Sequence, residues 1–178
     1  NPTVLLQTVT DKKKEGTLKV LKVDEDDQKT PLEGAEYGVY SDEDCQSLVT
    51  SDITKSDGTF EMTLKYGDYW LKEITAPAGY YLNDTVYPFT IKDGDDGNPT
   101  ILTQTVTDKK KEGTLKVLKV DEDDSQIART GAVFGGYNNA GCKDEHLVDQ
   151  DTTEPDGSLE MVLKYGDYLL TEITPPAN

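Results

Sequence analysis

The sequence repeats itself after 97 residues, and this repeat limits what the chain can fold into more than any other feature. Residues 1–27 match residues 98–124 at an offset of 97 and are almost identical to them. Residues 55–78 match residues 154–177 at an offset of 99, so the second copy carries two additional residues upstream of this segment. A period of this length accommodates a complete small domain and is too long for one turn of a solenoid. The chain is therefore predicted to hold tandem copies of one domain.

The copies are not equally complete. Residues 1–11 repeat the end of a copy, with no copy in front of them, and residues 12–111 form a full copy. Residues 112–178 begin a second copy but stop before the counterparts of residues 80–108. We therefore expect an orphan last strand, one complete domain and a second domain that lacks its C-terminal strands.

Nearly all of the regular segments have the pattern of β-strands. Short runs such as TLKVLKV, TFEMTL, DYWLKEI and ILTQTVT alternate between polar and apolar residues and are separated by turns rich in Gly and Asp. Alternation with a period of two is typical of half-buried strands, and no segment shows the period of an amphipathic helix. This spacing predicts an all-β fold of tandem antiparallel β-sandwich domains of the immunoglobulin-like kind.

Three ionisable residues lie where the alternation predicts apolar ones. Lys22, Glu73 and Asp108 each end a predicted strand segment whose other inward-facing side chains are mostly apolar. The second copy repeats the lysine as Lys119 and the glutamate as Glu172. Because a buried charge without a partner costs several kcal/mol, the three residues of the complete copy are expected to meet inside the domain.

A lysine that meets two carboxyl groups in a dry core has two possible outcomes. One is a conventional ion pair, or simply three solvated charges at strand ends. The other is chemical, because an uncharged amine attacks a carboxyl group when a neighbouring acid polarises the carbonyl and carries protons. The product is an amide between Lys22 and Asp108, formed with loss of water and favoured by proximity.

Several longer segments resemble one known family. The runs GTLKVLKVD, PLEGAEYGVYSDEDC, SDGTFEMTLKYGDYWLKEITAPAGYYL and TVTDKK are similar to the Cna B-type repeat, the prealbumin-like sandwich of collagen adhesins and pilins on Gram-positive cell walls. The resemblance covers residues 15–108 as a whole domain and residues 112–178 as most of another. It implies tandem prealbumin-like sandwiches, and it does not extend to a ligand-binding region. One departure is Val133, which replaces Glu36 in the second copy.

The resemblance also implies roles for the clustered residues. In this family the lysine of the first strand is joined to an Asn or Asp of the last strand, with a glutamate as catalyst. By position, Lys22 and Asp108 are the isopeptide-bonded pair and Glu73 is the catalyst. Lys119 and Glu172 take the same roles in the second copy, whose own last-strand aspartate is absent from the sequence.

The orphan strand carries an aspartate of this kind. Asp11 stands in residues 1–11 where Asp108 stands in the complete copy. One hypothesis is that this strand of one molecule adds to the open second repeat of another, beside Lys119 and Glu172, which gives head-to-tail self-association. The alternative is that residues 1–11 are the remnant of a cut through a longer array of repeats.

The acidic composition restricts the partners. With a formal net charge of −17, the chain repels the phosphates of nucleic acid and of anionic membranes, and no apolar run is long enough to span a bilayer. The acidic turns 24–27 and 93–97 lack the ligand spacing of an EF-hand, so no metal and no other cofactor is predicted. Cys45 and Cys142 occupy matching places, so a disulfide between them has to join separate domains.

These observations favour a spacer over an enzyme. We expect a secreted structural stalk module of a cell-wall adhesin or pilus, anchored to the wall in its full-length parent. Its partners are neighbouring repeats, and its catalysis is limited to single-turnover self-crosslinking. The alternative is an adhesive module that recognises a host protein or glycan through its loops, for which the divergent segment 125–153 is the expected binding region.

Overall fold

The computed structural model describes residues 7–95 and 97–176, and their regular structure is almost entirely β-strand. The chain divides into two compact units between Lys109 and Lys110. The predicted all-β fold is thereby confirmed. No helix in the two described ranges is long and apolar enough to cross a membrane.

Seven strands build the first unit as two sheets around one core. One sheet has three strands in the order β4–β1–β7, and the other has four in the order β3–β2–β5–β6. All neighbouring strands are antiparallel except the first and the last, β1 and β7, which run parallel. The bounds are β1 Glu15–Asp24, β2 Glu36–Tyr40, β3 Leu48–Ile53, β4 Thr59–Lys65, β5 Gly67–Thr75, β6 Val86–Ile91 and β7 Ile101–Asp108.

The core of the first unit is formed by the inward faces of both sheets. Along β4, buried side chains alternate with exposed or half-buried ones, as expected for a strand with one face toward the core. Each alternation seen in the sequence therefore places one row of apolar side chains inside. The buried cluster comprises Leu18, Val20, Ala35, Tyr37, Val39, Phe60, Met62, Leu64, Tyr69, Leu71, Ile91 and Val106.

The turn before β4 is fastened to the backbone of β1 through a glycine. Gly58 has a φ of 74°, and its carbonyl accepts a hydrogen bond from the Lys22 N–H at 2.8 Å. A Cβ at this position would lie 2.5 Å from the Lys22 carbonyl oxygen, so only glycine fits. Gly157 repeats this arrangement against Lys119.

Five strands and a short 3₁₀ helix make up the described part of the second unit. The strands pair as β11–β8 and as β10–β9–β12. In chain order they correspond to β1 through β5 of the first unit. The bounds are β8 Glu112–Leu118, β9 Val133–Tyr137, the 3₁₀ helix Asp144–His146, β10 Leu147–Thr152, β11 Ser158–Lys164 and β12 Leu169–Thr174.

One side of the second unit's core is open to solvent. Its described residues form no counterpart of β6 or β7. Leu71 of β5 is fully buried, whereas its counterpart Leu170 is 40% exposed. The buried centre is accordingly small and consists of Leu159, Met161 and Leu163.

The segment in front of β1 differs from the predicted orphan strand as far as it is described. Residues 7–14 belong to no strand and are exposed. The rest of the predicted strand, residues 1–6, lies outside the described residues. A strand needs a neighbour to satisfy its backbone N–H and C=O groups, and residues 7–11 pair with no described strand. The proposed boundaries of the repeats stay a prediction.

Candidate functional site

Lys22 and Asp108 meet because the first and last strands run parallel. In the register of β1 and β7, Lys22 lies opposite Val106, and Asp24 lies opposite Asp108. Side chains two residues apart share a face of a strand, so Lys22 and Asp108 point to the same side of the sheet from neighbouring strands. Both stand near the C-terminal ends of their strands, which parallel pairing brings to the same edge.

Glu73 and Tyr37 enter the same cluster from the other sheet. They are direct cross-strand partners in the antiparallel pair of β2 and β5, which places their side chains next to each other on one face. Both residues are buried. Each sheet therefore contributes two polar groups to the core.

The amino group of Lys22 lies at the centre of this cluster. Its Nζ donates a hydrogen bond to Asp108 Oδ1, lies 3.1 Å from Glu73 Oε1, and donates to the Tyr37 hydroxyl at 2.8 Å. The side chains of Lys22, Glu73 and Asp108 are wholly shielded from solvent. The structure thus brings together the three residues named for the complete copy and adds a tyrosine that sequence reasoning did not single out.

Burial favours the protonated form of the Asp108 carboxyl group. Loss of hydration is the largest cause that raises the pKa of Asp108, to about 7; contact with Lys22 opposes the rise and the neighbouring Glu73 adds to it. Two carboxylates and one ammonium would leave a net negative charge in a dry core, so a proton on Asp108 lowers the cost of burial. Among the described residues, Glu73 Oε1 and Asp108 Oδ2 are the buried side-chain atoms without a hydrogen-bond donor, and this proton supplies one.

A loop residue ties the glutamate to the last strand. The backbone N–H of Asn83 donates to Glu73 Oε2 at 2.8 Å, and its side-chain amide donates to the Thr107 carbonyl at 2.7 Å. Thr107 immediately precedes Asp108, so Asn83 bridges the two carboxyl-bearing strands. Sequence reasoning missed Asn83, because the spacing of loop residues does not indicate which of them faces the core.

The same loop is also fastened to the end of β1. The Tyr80 hydroxyl donates to Asp24 Oδ2 at 2.7 Å, and both residues are buried. The N–H of Glu25 donates to the Asp108 carbonyl at 3.0 Å. Backbone and side-chain bonds therefore hold the ends of β1 and β7 together beside the cluster.

The second unit contains only part of this arrangement. Lys119 Nζ lies 3.3 Å from Glu172 Oε2, and the two side chains are 29% and 30% exposed. Water reaches this pair because its side of the core is uncovered. Phe134 occupies the place of Tyr37, opposite Glu172 on the neighbouring strand. Asp11, the remaining predicted site residue, is exposed in the segment before β1 of the first unit.

The first cluster has the groups that amide formation requires. The Lys22 nitrogen, which is a nucleophile once it loses a proton, contacts a carboxyl group that readily holds a proton, and the Glu73 carboxyl group lies 3.1 Å from the same nitrogen. Cys45 and Cys142 are free thiols. No group of three or more His, Cys, Asp and Glu side chains converges as a metal site within the described parts of the chain.

A family model described as the SpaA prealbumin-like fold domain matches residues 16–109 and again residues 113–178. Among solved structures, the Bacillus anthracis TIE protein is 34% identical, with a TM-score of 0.68 over 91% of this chain and 29% of that chain. A streptococcal ancillary pilin is 23% identical, with a TM-score of 0.47 over 91% of this chain and 54% of that chain. Domains D2 and D3 of the major pilin SpaD from Corynebacterium diphtheriae are 24% identical, with a TM-score of 0.44 over 55% and 48% of the respective chains. No curated protein sequence matches significantly.

The family match agrees with the division of the chain. Each matched range falls within one of the two compact units, and together the ranges include most of the sequence. The chain spans less than a third of the TIE protein chain and about half of the ancillary pilin chain. The predicted resemblance to prealbumin-like repeats is confirmed, and the chain belongs to the SpaA prealbumin-like fold domain family, of which it carries two consecutive matches.

Proposed function

We propose that the chain is a structural module of a Gram-positive surface stalk or pilus, and that its first repeat crosslinks itself through an isopeptide bond between Lys22 and Asp108. The observation that carries this proposal is the dry contact between Lys22 Nζ and the Asp108 carboxyl group, with Glu73 3.1 Å away. Membership of the SpaA family and the tandem repetition support the structural role. The extracellular location, with wall anchoring in the full-length parent, belongs to the same proposal.

The proposed reaction conserves atoms and charge. Glu73 takes one proton from the Lys22 ammonium, and the Nζ lone pair attacks Cγ of the protonated Asp108. Glu73 then transfers a proton to the departing hydroxyl and receives the second proton from the nitrogen. The products are the amide, one water molecule and a protonated Glu73, so the charges of Lys22 and Glu73 have neutralised each other. The reaction occurs once in each molecule, which makes it self-modification.

A bond at this place has a mechanical consequence. It joins the first strand to the last across 86 residues of sequence. By analogy with disulfides that close loops of this size, it limits the unfolded state and adds roughly 4–5 kcal/mol to the free energy of unfolding. Force applied to the ends of the repeat then loads a covalent bond, which slows unfolding.

For the second repeat we propose closure by strand donation from another copy of this chain. Residues 1–11 differ from residues 98–108, which include β7, at only two positions, namely 4 and 6. If they add along β8 in the register that β7 adopts on β1, Asp11 takes the place of Asp108 beside Lys119 and Glu172. The apolar faces exposed in the second unit support this proposal, and a covalent ladder of chain multiples is its signature.

The alternative of an adhesive module stays a prediction. Its expected binding region is segment 125–153, which contains β9, the short 3₁₀ helix and β10 of the second unit. The spacer is preferred because the buried contacts of Lys22 with Glu73 and Asp108 bring together the groups that a stabilising crosslink would need.

The test is the intact mass of the purified chain under denaturing conditions. Crosslinking of the first repeat predicts a deficit of about 18 Da, the mass of the water that is lost. Glu73→Gln should restore the full mass. The matched control is Glu61→Gln, which removes a carboxylate that pairs with Lys19 on the exposed face and should leave the deficit unchanged. A wild-type chain with its full mass would show that the cluster is only an ion pair.

A further inference from the structure

Tyr37 contacts the reacting nitrogen, yet it takes no part in the proton transfers proposed for Lys22, Glu73 and Asp108. Its hydroxyl accepts a hydrogen bond from Lys22 Nζ at 2.8 Å, and its ring centroid lies 5.2 Å from the same nitrogen. Tyr37 is fully buried. We infer that the Tyr37 hydroxyl is a catalytic group of the crosslinking centre, which orients the Lys22 amine for attack on Asp108. This inference rests on the proposed function.

The geometry of the amine explains why an acceptor is needed there. Nζ has three directions besides its bond to Cε; it donates hydrogen bonds to Asp108 and Tyr37, and Glu73 Oε1 lies 3.1 Å away. After one proton leaves, the lone pair must point to Cγ of Asp108. The two remaining N–H groups then need acceptors elsewhere, and the Tyr37 hydroxyl, which already accepts from Nζ, supplies one. Without the hydroxyl, an N–H group instead of the lone pair turns toward Asp108, because a carboxyl oxygen is an acceptor.

An uncharged acceptor suits this task better than a third carboxylate. A further negative charge would stabilise the ammonium form, which has no lone pair to attack with. Burial raises the pKa of Tyr37 far above its usual range, and the nearby Glu73 and Asp108 add to the rise. The hydroxyl therefore stays neutral. It accepts from Lys22 without adding a negative charge to the cluster.

The second repeat provides an internal comparison. Phe134 occupies the place of Tyr37 and is paired across the sheet with Glu172, as Tyr37 is with Glu73. The aromatic ring is thus retained and the hydroxyl is missing. Lys119, the lysine of the second repeat, bonds to Glu172 at 3.3 Å. Tyr37→Phe consequently gives the first repeat the aromatic residue that the second repeat already has.

The experiment measures how fast the bond forms. Wild-type and variant chains are recovered in denaturant before the fold has formed and are then refolded by dilution. Samples are quenched at intervals, and their intact masses are measured. Tyr37→Phe should slow the appearance of the deficit of about 18 Da by roughly tenfold to a hundredfold, as expected for losing a hydrogen bond to a charged or reacting group. Tyr69→Phe is the matched control, because this core tyrosine donates to the Lys65 carbonyl instead of the cluster. Its rate should equal that of the wild type.

A second measurement separates catalysis from folding. Tyr37→Phe is combined with Asp108→Ala, which cannot crosslink, and its thermal unfolding is compared with that of Asp108→Ala alone. Similar midpoints together with a slower reaction support the catalytic role. Equal rates for Tyr37→Phe and wild type overturn this inference alone. A slower reaction accompanied by a clearly lower unfolding midpoint of the double variant also overturns it, because the slow rate then reflects failed folding. A wild-type chain that keeps its full mass overturns the proposed function and this inference together.

Discussion

Lys22 and Asp108 are 86 residues apart in the sequence, and in the core their side chains are joined by a hydrogen bond. The parallel pairing of β1 and β7 produces this contact, because it aligns the C-terminal ends of the first and last strands. A bond between the two residues closes almost the whole domain into one loop. The bond should therefore set the resistance of the first repeat to unfolding and proteolysis, and mutations that prevent it should lower this resistance.

Loss of the crosslink should weaken the first repeat. Glu73→Gln keeps the size of the side chain and removes the proton carrier, so the folded domain should lack the bond. We expect its free energy of unfolding to fall by roughly 4–5 kcal/mol, with faster proteolysis. Denaturant unfolding of Glu73→Gln and of the crosslinked Glu61→Gln control measures the difference. Equal unfolding midpoints for a bonded and an unbonded chain would contradict the mechanical role.

Bond formation should slow at alkaline pH. Asp108 has its pKa raised from 3.8 to about 7 in the folded state, so its carboxyl group stays protonated until the pH approaches that value. Ionisation above about pH 7 removes the neutral acid that the amine attacks, and the rate should decline toward about tenfold per pH unit. Refolding series on both sides of this pH, read by intact mass, test the sign. A rate that rises steadily through this range would mean that Asp108 does not react as the neutral acid.

Asn83 should position Glu73. Asn83→Ala retains the backbone N–H that bonds to Glu73 but loses the side-chain bond to the Thr107 carbonyl. We expect bond formation to slow by roughly fivefold, which corresponds to one hydrogen bond of about 1 kcal/mol that no longer holds the loop. Thr90→Ala serves as control, since it removes an exposed bond to Asp68 elsewhere on the same sheet. A wild-type rate in Asn83→Ala would show that the loop holds its place without this amide.

Gly58 should tolerate substitution less well than Gly34. Both Gly58 and Gly34 have positive φ, so alanine costs roughly 1–2 kcal/mol of backbone strain at either site. At Gly58 the new Cβ also collides with the Lys22 carbonyl, whereas at Gly34 nothing lies within 4 Å. Gly58→Ala should therefore destabilise the domain by about 1–3 kcal/mol more than Gly34→Ala, measured by thermal unfolding. Equal losses would mean that the turn moves away from β1 at little cost.

Strand donation should give covalent chain multiples. At high concentration the wild-type chain should form a ladder that survives boiling in detergent, because Asp11 of one molecule reacts with Lys119 of the next. Asp11→Ala should abolish the ladder and leave the mass deficit of the first repeat in place. The result that would refute donation is a wild-type chain that stays entirely monomeric under these conditions, or a ladder that persists in Asp11→Ala.

Much of the fold follows from local pattern. Alternation with a period of two identifies strands because successive side chains point to opposite faces, so Lys22 and Glu73 could be assigned to inward faces from their neighbours alone. Repetition likewise matched Lys119 with Lys22 and Glu172 with Glu73. These inferences need only the sequence, since they concern the direction of a side chain within its own strand.

Other features depend on which strands become neighbours. Nothing in the runs of β1 and β7 distinguishes parallel from antiparallel pairing, yet only parallel pairing brings Lys22 to Asp108. In the sequence Tyr37 resembles any other core tyrosine, and only the tertiary structure places its hydroxyl beside Lys22 Nζ.

The amino-acid sequence by itself therefore determined the repeat, the all-β class and the inward direction of the charged residues, because these depend on local periodicity. Which side chains are in contact, how completely they are shielded from water and which buried atoms lack a hydrogen-bond donor depend on the tertiary structure. Contacts between residues far apart in sequence arise only when the sheets close around the core.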